Sequence, residues 1–165
     1  MQEAYALSII AEVGAAFMGF IVIFTALSRR DGKLSGSDSL RARALMKAAV
    51  LVTLLSLSPI AVYELGVTED KLWRIQNWAA VFFLAVMIVF QRLGERRAEG
   101  AWLKEMGVLT AMVAWITVLV SMVIFVVGGL ELFNLSSSGL YILGLITILG
   151  TASLAFISIV TQRFL

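Results

Sequence analysis

Five long apolar runs separated by short polar connections set the pattern of this chain. The runs cover about 4–28, 42–65, 72–93, 105–128 and 139–162, and each is long enough to cross a hydrocarbon core, which takes ~20 helical residues at 1.5 Å rise each. The pattern predicts an all-α fold: a polytopic membrane helix bundle with five transmembrane helices, in a single domain over residues 1–165. The connections are too short to hold a soluble domain.

The punctuation between the runs fits helices. Gly32, Gly36 and neighbouring serines break the chain after the first run. Ser37 or Asp38 is then placed to cap a second helix that starts before the membrane, and Thr68 with Glu69 and Asp70 marks the start of the third. Pro59 lies inside the second run. It removes one backbone hydrogen bond and predicts a kink, with Ser56 and Ser58 at hand for the freed carbonyls. The connection over 91–105 is charged and is expected to be helical in part. Tyr5, Tyr63, Trp73 and Trp78 are expected to form an aromatic belt at one interface, and Trp102 to mark the other.

Charge gives the runs a direction. Eleven of the thirteen Lys and Arg residues flank the first-to-second and third-to-fourth connections or the C-terminus: Arg29, Arg30, Lys33, Arg41, Arg43, Lys47, Arg92, Arg96, Arg97, Lys104 and Arg163. Only Lys71 and Arg74 lie on the other side. The positive-inside rule then places the N-terminus outside and the C-terminus in the cytoplasm, as an odd number of spans requires. The expected location is a bacterial inner (plasma) membrane. No cleaved signal peptide is expected, because the N-terminus carries Glu3 and no basic n-region. Asn134-Leu135-Ser136 has the form of a glycosylation sequon, but it falls next to the membrane and has little weight.

Composition narrows the chemistry. The chain is 61% hydrophobic and 15% charged, outside the usual range of soluble domains. It has no Cys and no His, so disulfides, thiolate or imidazole metal sites and Ser–His or Cys–His catalysis are excluded. An enzyme is not expected, nor is any cofactor or metal. The basic residues sit beside apolar spans, where they fit anionic lipid head groups and not nucleic acid.

One residue breaks the pattern. Glu12 is a carboxylate about 12 Å along the axis from the start of the first run. Placing an ionisable group at such depth costs roughly 2.5–3.5 kcal/mol on insertion scales. At about 100° per residue, Ala16 and Gly19 lie about 40° and 20° to either side of Glu12, and Ala15 about 60° away. Ala11, Ala15 and Gly19 form two successive small-xxx-small steps, a close-packing face that Glu12 adjoins. A second small stripe, Gly144, Thr147 and Thr151, lies on the fifth run. Ser56, Ser58, Gln76 and Asn77 fall at comparable depth, so a polar cluster centred on Glu12 is expected. Lys47 is nearer the other membrane face and is set aside as its counter-ion.

Three readings of Glu12 follow. It is a protonated hydrogen-bonding group that glues helices, a cation- or proton-binding group on a transport path, or part of a face that docks on another membrane protein. The main functional expectation is a small self-associating channel or transporter for a cation or protons that uses Glu12, Ser56, Ser58, Gln76 and Asn77. The alternative is a non-transporting accessory or structural subunit that meets another membrane protein through small-residue faces.

Overall fold

The structure, a computed structural model, describes residues 3–30, 36–97, 108–132 and 135–164, with side chains described over 3–27, 42–90, 112–132 and 135–157. Among the described residues five helices follow one another: α1 (Ala4–Arg30), α2 (Gly36–Glu64), α3 (Glu69–Arg97), α4 (Val108–Gly129) and α5 (Ser137–Phe164). Each contains a stretch long and apolar enough to cross a membrane, from 18 residues in α4 to 24 in α1. The protein is therefore an all-helical bundle of the integral membrane type. Several sequence expectations fall outside the described residues: the start of the fourth span over 105–107, the charges Asp31, Lys33, Glu99 and Lys104, and both Trp102 and Asn134.

Local sequence explains the helix starts. Thr68 precedes the acidic pair Glu69 and Asp70, which occupies the first turn of α3 and faces the positive end of its dipole. Ser136 precedes α5, and its hydroxyl accepts from the Gly139 amide at 3.2 Å, an N-cap bond. The start of α2 differs from expectation. The helix begins at Gly36, so Ser37 and Asp38 lie within its first turn instead of ahead of it.

Two apolar clusters hold the bundle. Leu7 and Ile10 of α1 join Val52 and Leu55 of α2, Leu72, Trp73, Ala80 and Leu84 of α3, Phe125 of α4, and Tyr141, Leu145 and Ile148 of α5. Nearer the other end, Ile21 joins Ala42, Leu45 and Ala152, with Phe17 and Phe24 packed edge-on against Phe156. These pairings show α1 and α2 to be antiparallel. The helix α5 is central, packing against all four others, whereas α1 is peripheral and leans mainly on α2. The outside is as apolar as the inside: Phe20, Phe82, Phe90 and Leu154 are all more than 60% exposed. A hydrocarbon surround makes that arrangement stable, because lipid tails are as apolar as the side chains that meet them.

Candidate functional site

The polar side chains near the middle of the bundle are organised by Pro59. A helical amide at position 59 would donate to the carbonyl of residue 55, but proline has no N–H. The Leu55 carbonyl instead accepts from the Tyr141 hydroxyl of α5 at 2.6 Å, and from the Ser58 hydroxyl at 3.1 Å. The single Ser58 hydroxyl proton is shared between that carbonyl and a second acceptor, Gln76 Oε1 of α3, at the shorter distance of 2.8 Å. Pro59, Tyr141 and Asn77 are all fully buried. Helices α2 and α5 thus meet at one carbonyl that the proline has released, and α3 joins through the Gln76 side chain on Ser58.

Asn77 makes a second junction. Its Nδ2 donates to Trp73 O at 2.8 Å within α3 and to Ser137 O at 3.1 Å at the start of α5. Its Oδ1 has no hydrogen-bond partner and faces Gly128 of α4, where a Cβ would meet it at 2.7 Å. The Ser121 hydroxyl on α4 is likewise buried, and neither it nor Asn77 Oδ1 has a partner among the described residues. Ser56 is fully buried but turns its hydroxyl back to Val52 O of its own helix at 2.8 Å.

The structure brings Ser58 and Gln76 into direct contact and buries Ser56 and Asn77 beside them; Glu12 stands apart from this group. The packed face of α1 carries Leu7, Ile10, Ala11, Gly14 and Ile21, and Glu12 lies roughly 150° around the helix from its centre. Glu12, Ala15, Ala16 and Gly19 are exposed on the outside of the chain. A Cβ built on Gly19 meets nothing within 4 Å. The glycine that admits close approach inside the chain is Gly14, where a Cβ would meet Thr53 Oγ1 at 2.5 Å and Ala49 O at 3.5 Å. Of the expected stripe, only Ala11 is buried against the rest of the bundle. Gly19 completes the small-xxx-small steps whereas Gly14 has Ile10 and Met18 four residues to either side, and the sequence does not say which face has a neighbour.

The stripe on α5 divides in the same way. Gly144 is buried against the Phe125 ring, at 2.5 Å from where its Cβ would be. Thr147 and Thr151 are half-buried and return their hydroxyls to Leu143 O and Thr147 O of their own helix. Trp73, expected in the interfacial belt, is in the core with its ring tilted against Tyr141 at 5.8 Å, while Tyr5, Tyr63 and Trp78 remain exposed. Tyr141 and Gly14 are the residues that sequence reasoning missed. The signal for Tyr141 was the orphaned carbonyl before Pro59, which needs a donor from somewhere.

Fold and site together define a five-helix membrane bundle with a closed polar core and one carboxylate displayed on its apolar exterior. No protein-family profile, no curated protein and no solved structure matches the chain.

Proposed function

We propose that the protein is a subunit of a membrane assembly and that it docks through the outward face of α1 bearing Glu12. The observation that carries this reading is the position of Glu12. Among the described residues it has no hydrogen bond or ion pair, it points away from its own bundle, and it lies within a stretch of 24 residues apolar enough to span a membrane. Facing lipid there costs roughly 2.5–3.5 kcal/mol. Protein or water against that face removes the cost, and Ala15, Ala16 and Gly19 beside it allow a helix backbone to approach closely. The test is assembly size in mild detergent. Gly19→Leu is expected to reduce the assembly to the single chain while far-ultraviolet circular dichroism stays unchanged, because a Cβ on Gly19 meets nothing within 4 Å among the described residues. Retention of the full assembly by Gly19→Leu refutes the reading.

A second reading gives Glu12 a cation or proton to carry at that same interface. An ionisable group near the middle of a span favours it. A path through the interior of one chain is disfavoured by the buried Phe125, Tyr141 and Leu145 that fill it. Flux into proteoliposomes containing wild type and Glu12→Gln separates the two readings: equal flux, or none above empty vesicles, removes transport.

The charge pattern supports an orientation with the N-terminus outside and the C-terminus in the cytoplasm of a bacterial inner membrane. The chain has no cysteine, so single cysteines report sidedness directly. Val67→Cys is expected to react with a membrane-impermeant maleimide on intact cells, and Gly36→Cys only after permeabilisation; the reverse pattern overturns the orientation.

A further inference from the structure

Among the described residues Glu12 has no complement in its own chain, and a second copy would bring no described cation to its level. Gly14 packs beside Ala49 and Thr53, which sets Glu12 level with the middle of the Ala42–Glu64 span. Within α1 itself it is about one turn, ~5 Å, from the midpoint. That is too deep for a glutamate to reach the interface, since half the hydrocarbon thickness is ~15 Å. The exposed cations of the described residues lie above and below that level. Ser58 bonds Gln76, and the registers then place Arg74 about 10 Å from Glu12 along the bundle axis and Lys47 about 9 Å away in the other direction. Side chains lean toward the N-terminus of their own helix, so Arg74 on α3 and Lys47 on α2 both lean away from the level of Glu12. Thr147, about a turn away in depth, already donates to Leu143 O. A second copy inserted in the same sense therefore meets Glu12 with another carboxylate or with apolar surface.

We infer that the occupant of this face is a transmembrane helix of a different protein that carries one Lys or Arg near mid-bilayer and pairs it with Glu12. The inference rests on the docking reading above and names the chemistry of the partner. A carboxylate and a cation that are each expensive alone in hydrocarbon lower one another's penalty when paired, and the adjoining Ala15, Ala16 and Gly19 let the partner backbone come close enough for the pair to form.

The test uses the full-length protein in lipid vesicles with three fluorescent probe helices. These are leucine–alanine transmembrane peptides identical except for Lys, Leu or Glu at one position matched to the depth of Glu12. Energy transfer to wild type is expected to show the Lys helix binding roughly tenfold more tightly than the Leu helix, and the Glu helix no better than Leu. Glu12→Gln is expected to bring the Lys helix down to the Leu level. Equal binding of Lys and Leu helices by wild type overturns the inference. Self-association that is strong in wild type and lost in Glu12→Gln also overturns it, because a second copy is then the occupant, while the docking reading stands. If neither heteromeric nor homomeric association responds to Glu12→Gln or Gly19→Leu, the docking reading itself fails.

Discussion

The bond from Tyr141 to the Leu55 carbonyl should be worth more in this chain than an interhelical hydroxyl bond usually is, and Pro59 is the reason. Without Tyr141, Leu55 O would retain only Ser58, whose longer contact of 3.1 Å competes with its 2.8 Å bond to Gln76. Interhelical side-chain bonds in membrane bundles average about 0.6 kcal/mol and reach about 1.7. A buried carbonyl with no helical donor belongs near the upper end, so Tyr141→Phe is expected to destabilise the bundle by about 1–1.5 kcal/mol. In a Pro59→Ala background the amide of residue 59 is restored and can donate to Leu55 O. The same Tyr141→Phe change should then cost less than about 0.6 kcal/mol. The four proteins of this cycle can be compared by reversible unfolding in mixed micelles of increasing dodecyl sulfate content, followed by circular dichroism. The cycle isolates the coupling even if Pro59→Ala carries a repacking cost of its own. Equal costs of Tyr141→Phe in both backgrounds would refute the idea that the proline gives this bond its weight.

Other outcomes follow from packing. Gly144→Ala is expected to lose about 1–3 kcal/mol in the same unfolding assay, because its Cβ meets the fully buried Phe125 ring, itself wedged at 5.6 Å against Tyr141. Gly150→Ala, where a Cβ meets nothing within 4 Å, should be neutral or gain up to about 1 kcal/mol from helix propensity. Ser121→Ala removes a buried hydroxyl that has no partner, and it should leave stability unchanged or raised, as thermal aggregation in detergent can report. Gly128→Ala should be destabilising and should be partly rescued by Asn77→Ala, since its Cβ would stand 2.7 Å from Asn77 Oδ1.

The five helices were legible because hydropathy over twenty residues is a strong signal that needs no tertiary information. The described ends were read to within a turn or so, including the start of α2 ahead of its apolar run, where the cap was expected at Ser37 or Asp38 and the helix begins at Gly36. The role of Ser58 beside Pro59 was also legible, since both the missing donor and its nearest replacement lie in one turn of sequence. Tyr141 was not, because its partner is on another helix and nothing local says where a tyrosine hydroxyl will land. Trp73 was misplaced for a related reason: depth from sequence assigns an aromatic to the interface but not to the lipid-facing or inward side of its helix. The faces of α1 show the limit most clearly. Gly14 and Gly19 are both on α1 and point in different directions; only the three-dimensional arrangement separates the glycine that packs against α2 from the one left open to the outside.

The link between Tyr141 and Leu55 also has a consequence for biogenesis. The two residues are 86 positions apart, and synthesis runs from the N-terminus. When α2 leaves the ribosome it carries a carbonyl that its own backbone cannot satisfy, and its designated donor has not yet been translated. Until α5 is laid into the membrane, α2 holds that carbonyl with Ser58 alone. The fifth helix is therefore the one that completes the second, and a chain truncated before it leaves the Leu55 carbonyl without its interhelical donor.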